Sequence, residues 1–248
     1  MKKLIALMLS AMLMLMSFSA VAAEKLVVGT NAEFPPFEYI GDDGTIQGFD
    51  ADLIAAIMGK IGQEFEMNNM EFGSLVFALQ NGQLDMVIAG MTISEERKQY
   101  VIFSDPYFEA TQKILVQEGS ATKAAQDIPA DMTIGVQEGT TGDMYATDNL
   151  PAKVERYNKA LDAVLDLKNG RLDAVMVDAA PSEYLAKNVG GVVVLEENLS
   201  EEQYGIAMKK EDTQLQEKVN VALKELVESG EYDALYAKYF SVIESEAK

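Results

Sequence analysis

A short passage occurs twice in this chain and constrains its fold more than any other feature. The segment at 79–85 (LQNGQLD) is matched by the segment at 167–173 (LKNGRLD), and apolar residues follow both. Apolar residues at helical spacing precede each Asn-Gly pair, and glycine fits the left-handed position just beyond a helix end. Each copy therefore predicts a helix that stops at Asn-Gly and leads into a buried strand.

A second correspondence lies upstream of each copy. The apolar stretches at 26–30 and 132–136 read as short strands, and each runs into a loop, at 31–37 and 137–142. Asn-Gly is also ordinary turn chemistry, but five matching positions in the same order favour a structural echo. The chain is therefore predicted to form two α/β units of similar plan. Apolar residues at helical spacing also predict a helix at 49–61 and a short helix around Tyr232, a further helix is predicted from Pro181, and the segment at 204–208 reads as one strand.

Composition removes several kinds of chemistry. The chain has no His and no Cys, which excludes a Ser-His relay, a thiolate nucleophile and metal sites built on imidazole or sulfur. Its formal net charge is −20, whereas nucleic-acid partners require basic patches. We expect no nucleic-acid partner, no cofactor and no metal, and a binding role before a catalytic one.

The N-terminus has the pattern of a secretory signal peptide. Lys2 and Lys3 precede an apolar run, and residues 20–23 (AVAA) offer a cleavage site, so residues 1–23 are predicted to be removed. A retained membrane anchor is the alternative, because residues 4–23 are just long enough to span a bilayer. No cysteine is present to carry a lipid anchor, which favours a periplasmic protein.

A candidate carboxylate site follows the apolar run at 84–89. Gly90, Thr92 and Arg97 lie within eight residues, and a guanidinium can pair both oxygens of a carboxylate at once. Ligands of open α/β sheets bind at the carboxyl ends of strands. The alternative is that Arg97 is a solvated charge within the cluster at 95–98.

The second unit offers candidate residues at corresponding places. Thr140 and Thr141 open a predicted helix whose first backbone N–H groups favour an anion, and Asp178 follows a predicted strand, where its carboxylate could hold an ammonium group. The alternative for each is a helix N-cap. The loop at 139–142 lacks the lysine of a phosphate loop. Phe34 and Phe72 could flank a ligand side chain, although core packing is the stronger interpretation for each alone.

Several motifs run in the order typical of one family. They are TNAEFPPFE at 30–38, GFDADL at 48–53, AGMTISEER at 89–97, FSDPY at 103–107, GVQEGTTG at 135–142 and GRLDAV at 170–175. Together they resemble the polar amino-acid branch of the periplasmic solute-binding proteins that serve ABC importers, and the resemblance covers nearly all of the chain beyond residue 23. It implies an α/β, two-lobed periplasmic-binding-protein fold (type II) with two hinge crossings, near 108–113 and 201–205.

The resemblance also implies lobe boundaries and residue roles. Lobe 1 would comprise residues 24–110 and 205–248, and lobe 2 residues 111–204. The ligand would be a free L-amino acid, delivered to the membrane permease of an ABC transporter by a monomeric protein. The α-carboxylate would be held around Arg97, Thr92, Thr140 and Thr141, the α-ammonium by Gly90, Thr92 and Asp178, and the side chain by Asn31, Phe34, Phe72 and Gln137.

The side-chain pocket leaves the ligand open. Some relatives have an acidic residue at the position of Asn31, and the neutral amide here slightly favours a neutral polar ligand such as glutamine. Glu33 and Glu138 could still serve a cation. Two other functions stay open: an enzyme similar to cyclohexadienyl or arogenate dehydratases, in which Glu33 or Glu138 would act as the acid, and a soluble amino-acid sensor.

Overall fold

Two five-stranded sheets form the framework of the molecule. The computed structural model describes residues 25–246, with side chains described to residue 241. The predicted signal peptide lies outside the described residues. The strands are β1 (Leu26–Thr30), β2 (Glu33–Phe34), β3 (Glu38–Ile40), β4 (Ile46–Gln47), β5 (Phe65–Asn69), β6 (Met86–Val87), β7 (Val101–Phe103), β8 (Phe108–Ala110), β9 (Gln112–Gln117), β10 (Thr133–Gln137), β11 (Lys153–Tyr157), β12 (Ala174–Asp178), β13 (Val192–Val194), β14 (Glu202–Tyr204) and β15 (Ala207–Lys209).

Helices cover both sheets. They are α1 (Phe49–Ile61), α2 (Leu75–Gln80), α3 (Glu95–Lys98), α4 (Thr141–Asn149), α5 (Ala160–Lys168), α6 (Ala179–Val189), α7 (Thr213–Ser229) and α8 (Glu231–Glu246). The predicted helix at 49–61 is confirmed at both ends. The helix predicted from Pro181 begins two residues earlier, and the short helix predicted around Tyr232 is longer, because it continues to Glu246. No helix among residues 25–246 is both long and apolar enough to cross a membrane.

The two sheets have closely related topologies. The first has the order β5-β1-β6-β15-β7 and the second the order β11-β10-β12-β9-β13. In each, the second strand is parallel to both neighbours (β1 to β5 and β6, β10 to β11 and β12), and an antiparallel strand, β15 or β9, follows the third. This arrangement is the predicted α/β fold with two sheet-containing lobes.

Two short strands carry the chain between the sheets. β8 and β14 pair in the antiparallel direction, with Tyr204 opposite Phe108. The single strand predicted at 204–208 is wrong, because it is divided: β14 belongs to the crossing and β15 to the first sheet. Gly205 lies at the break, where an added Cβ would be 2.8 Å from the Ile93 side chain. The close approach of Ile93 therefore requires glycine at this point.

The repeated passage adopts the same local structure twice. Gly82 and Gly170 both have a φ of +71°, in the left-handed region, and end α2 and α5 respectively. Asp85 then accepts a hydrogen bond from a backbone N–H of β1 at 2.9 Å, and Asp173 accepts one from β10 at 2.8 Å. The structural echo predicted from sequence is confirmed.

The hydrophobic core extends through the crossing. α1 buries one apolar face, including Phe49 and Ile54, and packs against α7 and α8. The rings of Phe37, Phe108 and Tyr204 contact one another, with centroids 4.8–5.6 Å apart. Phe37 meets the other two rings edge to face, and Phe108 stacks on Tyr204; both arrangements favour defined relative orientations. The crossing strands are therefore anchored by packing as well as by backbone hydrogen bonds.

Candidate functional site

Four strand ends bring polar residues into the space between the sheets. Asn31 follows β1, Gly90 lies three residues beyond β6, Gln137 ends β10 and Asp178 ends β12. All four strands belong to the parallel parts of their sheets. The carboxyl ends of parallel strands are the usual ligand sites of open α/β sheets, and here two such edges face each other.

The residues predicted for the ligand site meet around one cavity. Its lining combines residues from both sheets, and Ala89 joins the predicted set. The lining residues are Asn31, Phe34, Phe72, Ala89, Gly90, Thr92, Arg97, Gln137, Thr140, Thr141 and Asp178. Their proximity is observed, whereas the role of each residue toward a ligand stays a prediction.

Arg97 supplies the positive charge of the cavity. Ser94 caps the short helix α3 by accepting the Arg97 backbone N–H, and the guanidinium donates to the Thr92 carbonyl at 2.7 Å and to the Gly139 carbonyl at 3.1 Å. The side chain is only 6% exposed and lies 5.3 Å from the centre of the Phe72 ring. The interpretation of Arg97 as a solvated surface charge is therefore wrong.

The charge on Arg97 persists despite burial. Burial lowers the pKa of Arg97, and the carboxylates of Glu202 and Asp178 raise it. A guanidinium does not lose its proton in proteins. The two observed acceptors are neutral carbonyls, so this buried cation can still gain from an anionic partner.

Asp178 supplies a buried acid on the opposite lobe. It occupies the N-cap position of α6, but its side chain makes no capping hydrogen bond. Its Oδ1 instead accepts the Tyr204 hydroxyl at 2.7 Å. Burial raises the pKa of Asp178 to about 7, and the nearby charge of Glu202 contributes to the same direction. An ammonium group placed here would favour the ionised form.

The two threonines of the second lobe behave differently. Thr140 is the N-cap of α4, since its hydroxyl accepts the Asp143 backbone N–H at 3.1 Å, while it donates to the Gln137 carbonyl at 2.8 Å. The N-cap alternative is thus confirmed for Thr140. The Thr141 hydroxyl donates to Glu202 at 2.7 Å. The start of α4 therefore combines a capped end with a hydroxyl that points to the crossing strand β14.

Glu202 connects the two lobes and was missed from sequence. Its Oε2 accepts the Thr92 hydroxyl at 2.6 Å and the Thr141 hydroxyl at 2.7 Å, while Oε1 accepts Ser200 at 2.7 Å. Gln112 was also missed; its amide nitrogen donates to Thr141 at 3.2 Å. Glu202 and Tyr204 are two residues apart on the crossing strand β14 and so share a face. That period was the signal available in the sequence.

Amides and aromatic rings define the other end of the cavity. The Gln137 side-chain nitrogen donates to Asn31 Oδ1 at 2.8 Å, and Asn31 donates to the Met70 carbonyl at 2.9 Å. Phe34 and Phe72 belong to hydrophobic clusters and also line the cavity, so both interpretations of these rings hold.

The acidic candidates at the rim lie apart from this lining. Glu33 forms an ion pair with Lys159 at 2.7 Å, and neither it nor Glu138 lines the cavity. Over residues 25–246, no group of three or more acidic side chains is arranged to hold a metal ion. The charged residues of the lining are therefore Arg97 and Asp178, and Glu202 acts electrostatically on both.

A buried cation, a buried acid and paired amides between two joined α/β lobes define a two-lobed ligand-binding protein. Residues 26–242 match the model of bacterial extracellular solute-binding proteins, family 3. The chain belongs to this family.

Individual relatives agree with this assignment. A probable histidine-binding protein of Neisseria gonorrhoeae is 40% identical over 86% of this chain and 82% of its own length. The crystal structure of the arginine-, lysine-, histidine-binding protein ArtJ of Geobacillus stearothermophilus has a TM-score of 0.83 at 41% identity, covering 88% of this chain and 96% of that one. The ancestral amino-acid-binding protein AncCDT-1, a precursor of cyclohexadienyl dehydratase, has a TM-score of 0.83 at 37% identity, with 87% and 95% coverage.

Proposed function

We propose that this protein captures a polar L-amino acid between its lobes and delivers it to the permease of an ABC transporter. The observation that carries the proposal is a single cavity containing buried opposite charges, Arg97 from one lobe and Asp178 from the other. A free amino acid is a zwitterion and provides the matching charges. Loss of hydration on binding is offset only when each charge meets a partner.

Each end of the ligand has a proposed set of contacts. Arg97 and the region of Thr92, Thr140 and Thr141 hold the α-carboxylate. Asp178, the Thr92 hydroxyl and the Gly90 carbonyl hold the α-ammonium. Charge-assisted hydrogen bonds contribute about 1.5–3 kcal/mol each, so a few of them, after ordering costs, reach the roughly −8 kcal/mol of micromolar affinity.

The ligand class follows from the amide end of the cavity. Asn31 and Gln137 are linked by a hydrogen bond and offer neutral oxygen acceptors near Phe34 and Phe72. These acceptors favour a side chain with N–H donors, which glutamine, arginine, lysine and histidine share. The names of the similar proteins favour the basic members of this group. Asn31 alone slightly favoured glutamine, so the proposed class includes both.

Closure, location and assembly complete the proposal. Lobe 1 comprises residues 24–110 and 205–248 and lobe 2 residues 111–204, hinged at β8 and β14; the sheet memberships support this division. A ligand that contacts both lobes binds the closed state better and shifts the hinge equilibrium toward it. The protein acts as a periplasmic monomer released by cleavage of the signal peptide.

Calorimetry with chemically edited ligands tests the proposal. Protein freed of carried-over ligand by unfolding and refolding would be titrated with L-arginine, L-lysine, L-histidine and L-glutamine. Agmatine lacks the α-carboxylate of arginine, and 5-guanidinopentanoic acid lacks its α-ammonium, so these two form a matched pair of controls. We expect at least one L-amino acid to bind and both edited analogues to bind far more weakly. Equal affinity for the analogues would show that the charges of the cavity do not recognise a zwitterion.

Binding is favoured over catalysis on the same fold. The ion pair with Lys159 holds Glu33, one of the two acids considered for a dehydratase, and neither Glu33 nor Glu138 lines the cavity. The similar proteins above include a binding-protein precursor of a dehydratase but are themselves named for binding. Incubation with arogenate and prephenate checks this choice, and we expect no turnover. A sensor function would be indicated by ligand-dependent binding to a receptor in place of a permease.

A further inference from the structure

Two carboxyl groups lie together beneath the loop that carries Gly90. Glu38 belongs to β3 and Asp50 to the first turn of α1, and both side chains are completely buried. A backbone hydrogen bond holds their segments together, because the Asp50 N–H donates to the carbonyl of Phe37, next to Glu38, at 2.8 Å, and the charge of Asp50 disfavours ionisation of Glu38. The mechanism proposed above uses neither residue.

The hydrogen bonds around this pair are unequal. Asp50 Oδ2 accepts the Gly90 backbone N–H and the Tyr107 hydroxyl, both at 2.8 Å. Among the described residues, no donor reaches Asp50 Oδ1 or either oxygen of Glu38. Two ionised carboxylates are acceptors only, whereas one protonated carboxyl becomes a donor. A proton between them therefore satisfies two buried oxygens and removes the repulsion.

We propose that Glu38 and Asp50 share one proton and that this acid pair is the positioning element that holds Gly90 in its ligand-binding conformation. Gly90 has a φ of +51°, and a Cβ there would lie 2.9 Å from the Phe34 ring. The hydrogen bond from the Gly90 backbone N–H to Asp50 holds Gly90 in this conformation. The link to ligand affinity rests on the proposed function, whereas the shared proton does not.

The surroundings of the pair agree with one bound proton. Burial raises the pKa of Glu38 well above its usual range, and burial raises the pKa of Asp50 to about 6. The titratable groups that face the pair are the hydroxyls of Tyr107, Tyr204 and Tyr232, and each of these has a raised pKa. These hydroxyls are neutral at pH 7 and do not compensate a second negative charge on the acid pair. A bound proton removes that second charge.

The pair also reaches the crossing between the lobes. Tyr107, which donates to Asp50, directly precedes β8, and its backbone N–H donates to the Tyr204 carbonyl at 2.9 Å. The Tyr204 hydroxyl in turn donates to Asp178. The acid pair therefore supports the first lobe's side of the cavity and the segment about which the lobes would hinge.

Infrared spectroscopy tests the shared proton without any ligand. At pH 8.5, where Asp178 is largely ionised, we expect a carbonyl band of a protonated carboxylic acid in the wild-type protein. E38Q should lose it, because the remaining Asp50, whose pKa is about 6, is then a carboxylate beside an amide donor. E66Q, which alters an exposed carboxylate on β5, should keep it. Absence of the band from the wild type, or its persistence in E38Q, overturns the shared proton.

A matched pair of variants at position 38 tests the positioning role. Gln retains a donor toward Asp50, whereas Met has a similar length and offers none. We expect E38Q to retain most of the affinity for the amino acid and E38M to weaken it by about tenfold or more, as for a lost hydrogen bond to a charged group. E38Q should also remove any alkaline fall in affinity that the wild type shows.

The two experiments separate failure of this proposal from failure of the proposed function. If the wild type binds no amino acid, the function is wrong, and the infrared result still decides the shared proton. If the wild type binds and E38Q and E38M bind equally well, the positioning role is wrong. Circular dichroism identifies a variant that does not fold. If E38M does not fold, the milder change Y107F replaces it, and we expect Y107F to lose less affinity than E38M would. Wild-type affinity in Y107F would count against the positioning role.

Discussion

Replacing Asp178 with Asn should stabilise the ligand-free protein and weaken ligand binding. Asn has nearly the same shape and can still accept the Tyr204 hydroxyl, which Asp178 accepts at 2.7 Å. It cannot ionise, however. The two effects therefore have opposite signs and a common physical origin. Burial of the ionised Asp178 carboxylate costs free energy, and the ammonium group of a bound ligand would offset that cost.

The magnitude follows from the pKa of Asp178. Burial first, and then the charge of Glu202, raise this pKa from 3.8 to about 7. The folded state therefore holds this proton more tightly than the unfolded state, so the stability that protonated Asp178 contributes is fully present below pH 3.8 and is lost as the pH rises to about 7. At about 1.4 kcal/mol per pH unit, ionisation of Asp178 costs about 4 kcal/mol.

The affinity for the ligand should decrease in D178N, in contrast to the increase in stability. Removing one partner of a buried, hydrogen-bonded charge pair costs about 2–5 kcal/mol, which is roughly 30- to 5000-fold in Kd. In the wild type, an ammonium ligand needs the ionised acid. Affinity should therefore fall as the pH decreases below about 7, by up to about tenfold per pH unit, and this acid limb should be absent from D178N.

Chemical denaturation and calorimetry measure both effects. Urea unfolding of ligand-free wild type and D178N at pH 5 and pH 8 gives the stability difference, and titration at the same pH values gives affinity. D143N is a useful control, because Asp143 lies outside the cavity lining and pairs with Arg156 at 2.8 Å. If the unfolding free energies of the wild type and D178N change with pH in parallel, the buried-charge argument is refuted.

Further substitutions test other parts of the site. R97M should weaken binding at least a hundredfold while leaving the circular dichroism spectrum unchanged, because two charge-assisted bonds are lost; unchanged affinity in calorimetry would remove Arg97 from the carboxylate site. G90A should reduce both affinity and the unfolding free energy, the latter by more than about 1 kcal/mol, whereas G44A, with a φ of +79° but nothing within 4 Å of the added Cβ, should affect unfolding only. E202Q should lower the pKa of Asp178, so the acid limb of the affinity profile should move to lower pH in calorimetric titrations; an unmoved limb would mean that Glu202 does not act on Asp178.

Much of the site could be predicted because its members are marked by local sequence. Arg97 and Gly90 follow a buried strand within one motif, and Asp178 occupies the corresponding place in the second copy of the repeat. The repeat itself is read from Asn-Gly at two helix ends, where the left-handed glycine is a local requirement. Such features depend on residues that are close in sequence, and they can therefore be predicted before the fold is known.

Other features depend on contacts between distant segments and were not predictable. Glu202 is far in sequence from Thr92 and Thr141, and only the crossing brings the three together. The acid pair is hidden for a similar reason: Glu38 and Asp50 read as ordinary polar residues of a strand and a helix start. The strand predicted at 204–208 failed because apolar residues continue through a point where the chain changes sheets.

The distribution of charge in the cavity favours closure of the lobes on zwitterions over closure on ligands with a single charge. Arg97 is buried against neutral carbonyls, and Asp178 is buried against a hydroxyl, so each is hydrogen-bonded to neutral groups and can gain from the opposite charge of a ligand. A cation alone would compensate Asp178 and leave Arg97 as before, and an anion alone would do the reverse. Only a ligand with both charges compensates the two lobes at once. Because ligand binding shifts the hinge equilibrium by its differential affinity for the closed state, we expect closure, measured as a decrease in the radius of gyration by small-angle scattering, with the intact amino acid and with neither edited analogue.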